Sequence, residues 1–85
     1  MTKSLTEADV EGWLIRRVAE LTGTKPESID PDVALQTYGL TSLMAVEIAA
    51  DAEDFLKIPV EATVAWDYPS ISKLATYLWS EERSN

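Results

Sequence analysis

Eighty-five residues, 46% of them hydrophobic, suffice for one small domain with a modest core. The chain has no cysteine and no histidine, which excludes disulfides, thiol chemistry and any Ser–His nucleophile of its own. Fifteen acidic residues against seven basic give a net charge of −8, which argues against nucleic acid or anionic membrane as partners and for a basic protein surface, or for a merely solubilising coat. Nothing reads as a signal peptide or a membrane-spanning run, so a soluble cytoplasmic domain is expected.

Taken in order, residues 1–5 read as a loose start. A first helix is predicted over about 7–22, from Val10, Trp13, Leu14, Val18 and Leu21 at helical spacing. Thr6 or Ser4 can cap it, and Ser4-Leu5-Thr6-Glu7 fits a capping box. Gly12 costs some helix stability, and Gly23 is a natural stop. A long connection over 24–40 follows, interrupted by Pro26, Pro31 and Gly39, with Asp30-Pro31-Asp32 as a turn rather than a metal site. Ile29, Val33, Leu35 and Leu40 are expected to tie it to the core. A loop this long in so small a domain is expected to be ordered and functional.

The second helix is predicted from Ser42 to Leu56. Gly39 suits a sharp turn just before it, and Thr41 suits its N-cap. Ser42 then falls at the helix mouth, near the positive end of the dipole, where a phosphate-bearing group is well tolerated. Ala45, Ile48, Ala49, Ala52, Phe55 and Leu56 form a broad core face, and Leu43, Val46 and Ala50 a second, narrower stripe. Glu47, Glu53 and Asp54 flank that stripe, with Asp51 further round and no basic partner on the helix itself. Glu47 and Asp51, four apart, weaken an isolated helix slightly. A greasy strip bordered by acids suits protein docking; it equally suits a solvated helix packed on two sides, and the pattern leaves both open.

Pro59 breaks the chain after the helix. Thr63 can cap a very short helix, Val64-Ala65-Trp66, before a turn at Asp67-Tyr68-Pro69. Ser70 caps the last helix, whose core face is Ile71, Leu74, Ala75 and Leu78, with Tyr77 and Trp79 to its sides and a tail expected to fray from Glu81. The expected fold is therefore all-α: a bundle of three main helices plus one short one, with a long loop between helices 1 and 2, ordered over about 6–80 of a single domain.

Several of these residues carry a family resemblance. Gly39-Leu40-Thr41-Ser42-Leu43 resembles the phosphopantetheine attachment motif, usually Gly-(Leu/Met/Ile)-Asp-Ser-Leu, and Met44-Ala45-Val46-Glu47-Ile48 resembles the helix that follows it. Trp66-Asp67-Tyr68-Pro69-Ser70-Ile71 is similar to the carboxyl-terminal signature of polyketide carrier domains. The chain thus resembles an acyl carrier protein of the polyketide-synthase type, from helix 1 to Leu78. The resemblance implies a 4′-phosphopantetheine arm on Ser42, installed from coenzyme A by a magnesium-dependent phosphopantetheinyl transferase, whose thiol carries acyl groups as thioesters. It further implies that Leu43, Val46, Glu47 and Asp54 dock partners, that Leu40 and Thr41 border the arm, and that the chain is a monomer and not itself an enzyme. The implied partners are the transferase, an acyl-loading enzyme (an acyltransferase or a fatty-acyl-AMP ligase) and a ketosynthase or other acyl-processing enzyme.

Thr41 departs from the family's usual aspartate. It preserves the cap but removes a negative charge beside Ser42, which bears on recognition by the transferase. Tyr38-Gly39-Leu40 and Asp51-Ala52-Glu53-Asp54-Phe55-Leu56 resemble carriers paired with fatty-acyl-AMP ligases. Ile48 stands where carriers for β-branching enzymes have tryptophan. Two alternatives are a peptidyl carrier domain of a nonribosomal peptide synthetase and an unmodified acidic interaction module in which Ser42 is only part of a cap.

Overall fold

A helix start leaves backbone amides without partners, and hydroxyl side chains supply them at three of the four starts here. The structure, a computed structural model, describes residues 5–84. Its helices are α1 (Glu7–Thr22), α2 (Ser42–Leu56), α3 (Val64–Asp67) and α4 (Ile71–Ser84). Thr6 is in extended conformation; its Oγ1 accepts from the Asp9 amide at 3.1 Å and Asp9 Oδ2 accepts from the Thr6 amide at 2.9 Å. A capping box joins Thr6 to Asp9; the box expected over Ser4-Leu5-Thr6-Glu7 involves Ser4, which lies outside the described residues. Gly23 closes α1 in the left-handed region, with φ 72°.

Two expectations at later helix ends are corrected. Thr63 makes no capping bond: its ψ of 5° leaves it outside the extended conformation an N-cap side chain uses. The helix end expected to fray from Glu81 continues to Ser84. There the Arg83 guanidinium sits 4.6 Å from the centre of the Trp79 ring, and a cation in the last turn suits the negative end of the dipole. Trp79 in turn donates Nε1–H to the Leu5 carbonyl at 3.2 Å.

α1 packs chiefly along α4. Val10, Leu14 and Val18 meet Ile71, Leu74 and Leu78 in the core, joined by Ala45, Ile48, Ala52 and Leu56 of α2. Each buried Leu or Ile side chain contributes roughly 1.5–3 kcal/mol relative to exposure. Phe55 is only half-buried: its ring stacks on Trp13 of α1 at 4.7 Å between centres, bridging the two helices at the edge of the core.

The 24–40 connection is ordered by short 3₁₀ turns at Pro26–Ser28 and Leu35–Tyr38. Ile29, Leu35 and Leu40 are buried as expected, whereas Val33 is only half-buried. Asp30 Oδ1 accepts from the Asp32 amide at 2.9 Å, so this pair shapes the turn. An isolated antiparallel bridge pairs Ala34 with Ser70. Around it, the Leu35 amide donates to Pro69 O at 2.8 Å and the Ser72 amide to Pro31 O at 2.9 Å. The long loop is thereby laced to the start of α4, which holds the mouth of α2 in place.

Candidate functional site

The chain enters α2 by a constrained path. Gly39 has φ 87°, a conformation that suits glycine, and its amide donates to Gln36 O. Leu40 is buried, anchoring the stretch of chain just ahead of the helix. Thr41 is extended, and its Oγ1 accepts from the Met44 amide at 3.2 Å. One turn back, the Tyr38 hydroxyl accepts from the Asp30 amide at 2.7 Å and ties the loop onto itself.

Ser42 is the first residue of α2 and is exposed. Among the described residues its hydroxyl has no hydrogen-bond partner, and neither have the amides of Ser42 and Leu43. An exposed hydroxyl beside two open amides at the positive end of a fifteen-residue helix is a setting in which a phosphodiester fits. No group of three or more metal-ligating side chains occurs among the described residues.

On α2, Leu43 is 70% exposed and Val46 48%, the large hydrophobic side chains most open to solvent among the described residues. The acids around them divide into two kinds. Asp51 is engaged: Arg17 of α1 donates Nε–H to its Oδ2 at 2.5 Å, and Arg17 also reaches Glu20 at 3.0 Å. The hydrogen bonds from Arg17 to Asp51, and then to Glu20, raise the guanidinium pKa above its ordinary value. Glu53 is also engaged, accepting from the Val60 amide at 2.9 Å. Glu47 and Asp54 form no ion pair or hydrogen bond among the described residues. The like-charge pairing of Glu47 and Asp51 is thus eased by Arg17, a partner on another helix.

The structure gathers Leu40, Thr41, Ser42 and Leu43 at the mouth of α2, with Val46 and Glu47 one turn on. Asp54 is twelve residues beyond Ser42, about 18 Å along the helix axis, so it belongs to the far end of the face. Tyr38 and Arg17 are the structural supports of the site that the sequence did not assign. Tyr38 sat inside a motif but without a role, and Arg17 lies 34 positions from Asp51.

The family profile described as phosphopantetheine attachment site matches residues 12–78. The chain belongs to this family. It is a carrier-protein domain of the polyketide-synthase kind, with a phosphopantetheine attachment site and the helical fold of acyl carrier proteins. It is 35% identical over 85 residues to a phenolphthiocerol/phthiocerol polyketide synthase polypeptide of Mycobacterium tuberculosis, with 99% of the chain covered and 4% of the synthase. It is 41% identical over 56 residues to the p-hydroxybenzoic acid–AMP ligase FadD22 of Mycobacterium marinum, covering 66% of the chain and 8% of the ligase. The carrier chain thus spans a small fraction of the curated proteins it matches. Among solved structures, a free-standing peptidyl carrier protein from an Acinetobacter baumannii secondary metabolic pathway superposes with a TM-score of 0.84 at 41% identity, covering 88% of this chain and 94% of that one. None of the helices among the described residues is long and apolar enough to cross a membrane.

Proposed function

We propose that Ser42 is the residue that takes the 4′-phosphopantetheine arm, and that the α2 face of Leu43, Val46, Glu47 and Asp54 docks the enzymes that serve it. The observation that carries this reading is the exposed, unbonded Ser42 hydroxyl at a capped helix mouth inside the matched family region. Under a separate transferase the Ser42 hydroxyl gives up its proton and its oxygen attacks the pantetheine-side phosphorus of coenzyme A; the new phosphodiester bond forms as the pyrophosphate P–O bond breaks, and adenosine 3′,5′-bisphosphate leaves while the proton passes to solvent. Thr41 holds the cap, so the helix start stays formed while Ser42 reacts. The open amides of Ser42 and Leu43 and the helix dipole favour the phosphodiester's negative charge. When bound, the arm supplies a thiol that keeps an acyl group activated as a thioester.

Leu43 and Val46 give a partner apolar area, and Glu47 and Asp54 give it charges to read. The chain contributes position and recognition, and catalysis belongs to its partners. We take the whole chain as one monomeric, cytoplasmic carrier domain. An adenylate-forming ligase is the loading enzyme we favour, on the similarity to a segment of FadD22 and on the motif around Tyr38. A ketosynthase or another acyl-processing enzyme would then take the cargo. Similarity to the peptidyl carrier from Acinetobacter supports a second reading, an aminoacyl cargo.

Ser42→Ala tests the assignment. The variant is expected to fold with an unchanged melting temperature and, unlike the wild type, to accept no acyl group after treatment with transferase, coenzyme A, magnesium, ATP and a fatty-acyl-AMP ligase with its fatty acid. A folded variant that still forms a covalent thioester would refute it. Loading of the wild type by an aminoacyl-adenylating enzyme but not by the fatty-acyl ligase would favour the peptidyl reading.

A further inference from the structure

Away from the mouth of α2, two shallow hollows adjoin where the α2–α3 connection meets α4. One, about 490 Å³, is mostly apolar and is lined by Tyr68, Ser72, Lys73, Thr76, Tyr77 and Ser80. The other, about 280 Å³, is lined by Glu53, Pro59, Val60, Glu61, Tyr77 and Glu81. Tyr77 is common to both. Its ring stacks on Tyr68 with 4.2 Å between centres and 14° between planes, so the two rings together form an aromatic wall. None of Leu43, Val46, Glu47 and Asp54 lines either hollow.

The charge around this wall is one-sided at one end. Glu61, Glu81 and Asp67 all act on the Tyr77 hydroxyl, which burial first, and then these carboxylates together with Tyr68, hold above the ordinary phenol pKa. Glu53 adds a carboxylate to the second hollow even while it accepts from Val60. Among the described residues, Lys73 is the sole cation lining the pair, and it belongs to the first hollow. Thr76 is turned to internal use, donating to Glu7 and to Ser72 O. An aromatic face beside carboxylates selects a planar guanidinium, which stacks on the ring while its N–H fork meets the acids. A compact ammonium gains less there, being more strongly hydrated. A second copy of this chain, itself at −8, is disfavoured as occupant.

We propose that this α3–α4 face is a second docking surface, which takes a protein segment presenting an arginine against Tyr77 and the Glu61 carboxylate. A carrier engaged through α2 would still present this face, so a second basic protein could hold it at the same time. The assignment stands independently of the arm on Ser42.

The test is an NMR titration of the ¹⁵N-labelled full chain with three peptides: acetyl-Leu-Arg-Leu-amide and its lysine and citrulline counterparts. The arginine peptide is expected to move resonances of Glu61, Tyr68, Tyr77 and Glu81. It should bind about threefold more tightly than the lysine peptide and about tenfold more tightly than the uncharged citrulline peptide. Tyr77→Ala and Glu61→Gln should each weaken it about threefold, and Glu47→Gln should leave it unchanged. Glu61 is exposed, so its variant keeps the test open should Tyr77→Ala disturb folding. Absence of binding, equal binding of the arginine and citrulline peptides, or shifts centred on Leu43 and Val46 would overturn the proposal.

Discussion

Removing the charge of Asp51 and removing that of Glu47 should have opposite consequences, although the two acids sit one turn apart on α2. The Asp51 carboxylate is held at 2.5 Å by Arg17, with side-chain exposures of 36% and 29%. Coulomb attraction at 4 Å in a surface-like dielectric is about 4 kcal/mol, but desolvation and the ordering of two long side chains offset most of it. Pairs exposed to this degree retain about 0.2–1 kcal/mol, and the short charge-assisted bond favours the upper end. Asp51→Asn should therefore cost about 1 kcal/mol, or about 4–8 °C in melting temperature for a domain of this size. Glu20 still pairs with Arg17 in that variant, which keeps the loss from growing. Glu47→Gln should stay within about 0.5 kcal/mol, as a surface change does. Chemical denaturation of both variants, with Arg17→Met and Arg17→Met/Asp51→Asn completing a double-mutant cycle, reads these terms; partner turnover of each variant reads the other half. Glu47→Gln, and more strongly Glu47→Lys, should slow turnover by a docking enzyme, while Asp51→Asn should not. A stability loss at Glu47 with none at Asp51, or a coupling energy near zero, would refute this division of the acidic face.

Three further outcomes follow from particular geometries. Lys57 closes α2 with φ 59°, the one described non-glycine residue in the left-handed region, so Lys57→Gly should raise stability by about 0.5–1 kcal/mol in denaturant titration. Tyr77 has its pKa raised above 10.0, chiefly by burial and then by the negative charge of Glu81; its contribution is complete below pH 10 and is lost as pH rises through the higher folded value. Stability should thus fall above pH 10 more steeply in the wild type than in Tyr77→Phe, as thermal melts between pH 8 and 11 would show. Thr41→Asp keeps an N-cap acceptor and so should leave stability within about 0.5 kcal/mol, while a time course of modification by a transferase should run faster. Equal rates would remove Thr41 from transferase recognition.

Local features proved readable from sequence wherever they act over a single turn. The α1, α2 and α4 cores repeat at helical spacing, Gly23 and Gly39 stand where left-handed backbone is needed, and Ser70 accepts from the Lys73 amide as a cap. The mouth of α2 was legible for the same reason, since cap, glycine and serine lie within four residues. Pairings across the chain leave no such period. Arg17 with Asp51, Ala34 with Ser70, and Tyr68 with Tyr77 are set only when helices pack. That is why the acids of α2 look alike in sequence yet differ in the fold. It is also why Thr63 misled: a threonine before a helix caps it only with extended backbone, which the tight connection there does not provide.

The central claim is that Ser42 carries the arm, and intact mass measures it most directly. The wild type and Ser42→Ala would each be weighed before and after incubation with coenzyme A, magnesium and a broad-specificity transferase, beside a control carrier. The account expects one added phosphopantetheine on the wild type, located by fragmentation at Ser42, and none on the variant. An equal gain by folded Ser42→Ala, or no gain by the wild type and by Thr41→Asp while the control is modified, would contradict it.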